Sequence, residues 1–174
     1  MQNLFISTKS KSEKEEHIAS LLREVVSVYN PPIFTGDIVV EQGSIPHSHP
    51  IVTLNTRSSD PRKLLEVFVH EQFHWFATKA SGYSAGIEHL RGLYADNGEC
   101  NVSGENPNSF WEHLIVCWNT RNFLQGTLSA ENVEWVYEQW NPYPKTEMLV
   151  LQEFDRLKDI LEPFGLVHES RMSA

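Results

Sequence analysis

Apolar residues at Ile18, Leu21, Leu22, Val25, Val26 and Tyr29 recur at helical spacing, which predicts a helix from Glu13 to Tyr29 that "NPP" (residues 30–32) brings to an end. The β-branched stretches "IFTGDIVVE" and "PIVTLNT", separated by "QGSIPHSH", read as two short strands of a small antiparallel sheet. Asp60 and Pro61 then pair a capping side chain with a proline at the first helical position. The helix they open should run to about Lys79, with Gly82 beyond its end. Residues 82–108 are rich in Gly, Asn and Ser apart from a short helical stretch, "GIEHLRGLY". Asn106 and Pro107 repeat the start signal, and "SFWEHLIVCWNTRNFLQG" follows as a second long helix ending near Gly126. "SAENVEWVYEQW" gives a third, broken by "NPYP". Residues 146–163 form a last amphipathic helix through Leu151, Phe154, Leu157 and Leu161, closed by Gly165. The sum is α+β: one mainly helical domain over residues 1–174, residues 1–12 flexible, with a small sheet whose edge strand precedes the helix after Asp60.

Composition narrows what such a domain can do. With 174 residues, 40% of them apolar, the chain can bury a core without staples. Its formal net charge of -9 argues against nucleic acid as a partner, because nothing supplies the basic footprint that phosphates need. The two cysteines, Cys100 and Cys117, make neither a disulfide framework nor a thiolate zinc site. The opening "MQNLFISTKSKSEKEEH" lacks the apolar core of a signal peptide, and no apolar run is long enough to span a bilayer. The expectation is a cytoplasmic protein with no membrane partner.

Candidate chemistry concentrates in "LLEVFVHEQFHWFATKA", residues 64–80. Residues four apart on a helix share a face, so His70 and His74 can aim two imidazole nitrogens at one cation. Glu71 is rotated by about 100° from His70, which lets its carboxylate reach an attacking water without ligating the metal. That division of labour, two ligands and a general base, underlies hydrolytic zinc chemistry. The bland alternative is a pair of core histidines. Against it, two imidazoles and a carboxylate amid "LLEVFV" and "WFA" are costly to bury without a partner.

Through His70, Glu71 and His74, and through the order "PIVTLNT" then "SSDPRKLLEVFVHEQFH", the chain resembles the zincin superfamily of zinc metallopeptidases. The resemblance implies Zn2+ as cofactor, a peptide or protein as substrate, and an edge strand at residues 51–56 where an extended substrate pairs by strand addition. "HEQFHWFATKA" departs from the longer metzincin motif, and no "NExxSD" motif of the thermolysin-like kind follows.

A catalytic zinc site needs a third protein ligand. Two pairs are available downstream, Glu88 with His89 in "GIEHLRG" and Glu112 with His113 in "FWEHLIVCW". The second pair lies on a well-marked helix. There His113 shares a face with Phe110, Cys117 and Leu124, whereas Glu112 falls in a polar stripe with Asn108 and Asn119. Ser109 and Glu112 also spell a capping box. Phase thus favours His113, while the glutamate-using branch of the zincins points to Glu112. For the group that stabilises an oxyanion beside the metal, Tyr137, Tyr143 and His168 are candidates, with Tyr137 the choice. "HSHP" (His47 and His49) resembles half of a cupin metal motif, but no glutamate follows at the required distance, so both histidines are placed in the turn before the edge strand.

Overall fold

In the computed structural model, residues 4–94, 107–139 and 141–169 are described; Cys100, Asn106, Trp140 and the side chain of Asn108 lie outside them. The chain is mainly helical with one small sheet, as its periodicity implies. Elements follow in the order β1 (Phe5–Thr8), α1 (Glu13–Tyr29), β2 (Asp37–Val40), β3 (Val52–Leu54), α2 (Pro61–Lys79), α3 (Tyr83–Tyr94), α4 (Pro107–Thr127), α5 (Ala130–Glu138), α6 (Pro144–Gln152) and α7 (Phe154–Leu161), with a 3-10 turn at Glu162–Phe164. Contact density divides them into two compact units: Met1–Trp75 with Glu134–Gln139, and Phe76–Val133 with Trp140–Ala174.

The first unit holds the sheet, in the order β1-β2-β3, and the sheet is parallel rather than antiparallel. Alternation of apolar residues identifies strands but not their direction, which depends on the connections. Between β1 and β2 the connection is α1, which packs on both strands, and a helical crossover returns the chain to the same end of the sheet. Between β2 and β3 the loop reverses twice. It turns at Gly43, whose φ of +83° is open to glycine, and reverses again around the cis His49–Pro50 bond. His47 passes antiparallel to Thr53 on the way. Residues 5–8, expected to be flexible, instead form β1, with the Phe5 N–H on the Gly36 carbonyl at 2.8 Å and the Lys9 N–H on the Val40 carbonyl at 3.0 Å. Phe5 is 69% exposed, so burial gave little sign of this strand.

Glu15 ties the β1–α1–β2 unit together. Ser12 caps α1 in a capping box with Glu15, which is the role the sequence had suggested for Ser109 and Glu112. The Glu15 carboxylate also accepts the Gln42 N–H at 2.9 Å and the Ser10 N–H at 2.7 Å. These donors, the Gln42 amide first, hold its pKa down at about 2, against the effect of desolvation.

In the second unit α4 packs against α3, α6 and α7. Its residues from Phe110 to Trp118 are buried except Glu112, which is half-buried, so the expected solvent stripe is not continuous among the described residues. Asn119 is buried too, its amide donating to the Ile115 and Leu166 carbonyls at 2.8 Å each while accepting the His168 N–H at 2.7 Å. A helix covered on most of its faces explains why its apolar periodicity is weak. The last predicted helix is divided. Glu153 leaves helical geometry (φ -118°, ψ 28°) where its carboxylate accepts the Tyr94 hydroxyl proton and pairs with Arg156, and Leu151 is 60% exposed rather than core. Close approach matters at Gly82, where a Cβ would stand 2.2 Å from the Phe164 carbonyl oxygen.

Glu15 makes a pH dependence predictable. Its folded carboxyl ionises at about 2 against an ordinary 4.5, so the stabilisation is complete above 4.5 and fades as pH falls towards 2. Glu15→Gln should therefore be less stable at neutral pH and show a flatter loss of stability over that acid range; denaturant titrations at several pH values check this.

Candidate metal centre

Helix α2 begins where the sequence places it. Asp60 Oδ1 accepts the Arg62 N–H at 2.9 Å, and Arg62 also pairs with the same carboxylate at 2.8 Å while lying 3.7 Å over the Trp135 ring. The first contact satisfies an otherwise unpartnered donor of the first helical turn. Arg62 holds the Asp60 carboxyl below its usual range.

The five motif residues divide their tasks. Phe73 is wholly buried core. Gln72, also wholly buried, reaches back to the segment before β2: its Oε1 accepts the Phe34 and Thr35 N–H groups at 2.7 and 3.0 Å, and its Nε2 donates to the Thr35 carbonyl at 3.0 Å. That leaves His70, Glu71 and His74, each under 9% exposed. The His70 and His74 rings stand edge-on with centroids 5.1 Å apart.

His113, on α4, is buried to a similar degree, and the ligand atoms of His70, His74 and His113 all lie within 4.8 Å of one another. Tetrahedral nitrogens about 2.1 Å from zinc stand roughly 3.4 Å apart, so small ring rotations would let the trio share one ion. His113 is already oriented for this. Its Nδ1 is 2.8 Å from the Ser109 carbonyl oxygen, an acceptor, so Nδ1 carries the proton and Nε2 is left as the ligand atom. Tyr143 stacks on the same ring at 3.8 Å. Three neutral imidazoles are a donor set that suits zinc.

The other candidates are not among the three converging ligands. Glu112 is outside the trio, and its Oε2 accepts the Tyr83 hydroxyl proton at 2.9 Å, a contact that, after burial, raises the Tyr83 pKa. Glu88 and His89 are exposed on α3, lining an open cleft of about 420 Å³ with Leu93 and Phe164. Tyr137 is half-buried on α5 with its hydroxyl covered. Sequence reasoning passed over Gln72, the Ser109 carbonyl and the stacking role of Tyr143, which only tertiary structure reveals.

Glu71 carries the notable electrostatics. Among the described residues its carboxylate has no hydrogen-bond partner, and burial pushes its pKa up to about 8, with the nearby Glu66 carboxylate adding to the rise. Glu66 itself is raised by burial against the pull of Lys63, whose Nζ is 2.8 Å away. A cation beside Glu71 would oppose that rise and favour the ionised form.

No family model, curated protein or solved structure matches this chain. The trio predicts a ranking among variants. His113→Ala should lower zinc affinity by more than about 100-fold, beyond what losing an orienting partner alone costs. Glu112→Ala should keep the zinc and disturb only the Tyr83 contact. Titration with a fluorescent zinc chelator compares the two.

Proposed function

We propose that the protein is a zinc-dependent metallohydrolase acting on a peptide or similar amide carbonyl. One observation carries the reading: three buried imidazoles converge to within 4.8 Å, one of them directly followed by a buried carboxylate. His70, His74 and His113 would hold the ion, and three protein ligands leave a coordination position for solvent or substrate. Zinc, when bound, supplies Lewis acidity and brings the pKa of its water near neutrality.

The chain's own residues do the rest. Glu71 takes the proton of the attacking water and can return it to the leaving nitrogen; burial raises its pKa to about 8, and a cation bound beside it would favour the ionised form that a base needs. The Ser109 carbonyl keeps His113 in the tautomer that presents Nε2. Tyr143, stacked on His113, limits rotation of that ring. Tyr137 is retained as the oxyanion-stabilising candidate. Among the described residues no helix is long and apolar enough to cross a membrane, and the pair of cysteines agrees with a reducing compartment, so we assign the protein to the cytoplasm.

Burial supports a second reading. All three histidines are only 7–8% exposed, which restricts the access that a substrate would need. A zinc-stabilised protein with little hydrolytic activity would share this geometry. Glu71→Gln separates the two. In the enzyme it should keep the fold and the zinc while peptide hydrolysis falls by about 100- to 10,000-fold. Unchanged hydrolysis, measured on purified wild type and variant with a fluorogenic peptide mixture, would remove Glu71 from the mechanism.

A further inference from the structure

The zincin resemblance makes β3 the edge at which an extended peptide would pair. In the structure the middle of that edge is taken. The Thr53 N–H donates to the His47 carbonyl at 2.8 Å, and the Thr53 carbonyl accepts the His47 N–H at 3.1 Å. Backbone groups alternate sides along a strand. Leu54 turns its carbonyl towards the Glu41 N–H at 2.9 Å, so in this three-residue strand Thr53 supplies the outward-facing pair.

The segment that covers the edge, residues 45–51, is also fastened to the metal-binding helix. Trp75 Nε1 donates to the Ser48 carbonyl at 2.8 Å. The His49 ring stacks on the Trp75 indole with centroids 4.3 Å apart, and the Ser48 hydroxyl is 2.9 Å from His49 Nδ1. Trp75 is four residues after Glu71, on the same helical stripe and about 6 Å further along. The strap is therefore held at a position about one helical turn along α2 from Glu71. His49 is exposed, whereas Ser48 beside it is buried. An exposed imidazole fixed by a stack and a ring-nitrogen hydrogen bond has already lost the rotamer freedom that binding would otherwise cost.

We propose that this strap replaces strand addition by side-chain recognition. The substrate meets the His49–Trp75 pair beside Glu71, and it is a short amide, of dipeptide or tripeptide size, rather than an extended polypeptide segment. The inference rests on the metallohydrolase reading and goes further by naming the substrate class.

The test uses the full-length protein, first analysed for zinc and then titrated with two peptide hydroxamates, one built on a dipeptide and one on an octapeptide. The dipeptide compound should bind, and the octapeptide should gain less than about threefold, since each strand-pairing hydrogen bond would otherwise add up to about tenfold. His49→Ala should weaken the dipeptide compound by about tenfold with zinc content unchanged. Trp75→Phe, which removes the Nε1 donor, should weaken it in the same direction. Octapeptide affinity tenfold or more above that of the dipeptide overturns the inference while leaving the zinc site standing. So does wild-type affinity in His49→Ala, and so does a zinc-loaded protein that binds neither compound. Failure of the wild type to take up zinc, seen before any hydroxamate is added, overturns the metallohydrolase reading and this inference together.

Discussion

Burying polar groups inside α2 is the constraint on which the rest depends. His70, Glu71, Gln72 and His74 all lie in the middle of the helix and all are under 9% exposed. A buried polar group without a partner costs about 1–3 kcal/mol, and an ionised one more. Gln72 meets that cost with three main-chain hydrogen bonds to residues 34 and 35, which also fix the chain as it enters β2. Glu71 has no such answer, and its carboxyl pKa rises instead. On the proposed reading, a cation shared by His70, His74 and His113 would draw Glu71 back towards its ionised form.

The scaffold serves this arrangement at several points. Asp60 closes off the start of α2, and the four-residue spacing within that helix puts His70 and His74 on one face. α4 is buried among α3, α6 and α7, which holds His113 in a rigid element, and the Ser109 carbonyl one turn earlier selects its tautomer. The strap before β3 comes back to α2 through Trp75, the residue directly after His74. Local backbone, tertiary packing and ligand chemistry thus meet within a few residues of the motif.

How much of this the sequence disclosed follows from the range of each signal. The bounds of α1 and α2 were legible because caps and proline act locally, and the motif was legible because i,i+4 spacing is itself geometry. Strand direction was not, since two parallel strands and two antiparallel ones carry the same alternation; the α1 crossover decides it for β1 and β2, and the double reversal between Gly43 and Val52 for β2 and β3. β1 was missed because Phe5 is exposed and its ladder partners lie some thirty residues away. The break at Glu153 depends on Tyr94, and the place of Glu112 depends on Tyr83, both contacts that no local pattern encodes. Helical phase pointed His113 inward, and it is buried; Asn119, assigned with Glu112 to a solvent face, is instead covered by the segment at Leu166 and His168.

The most direct test of the central claim is zinc analysis of the wild-type protein combined with X-ray absorption at the zinc edge. The account predicts close to one zinc per chain, with a first shell of three imidazole nitrogens and one oxygen donor. A protein that takes up no zinc on reconstitution, or a shell in which a carboxylate replaces the third imidazole, would contradict it.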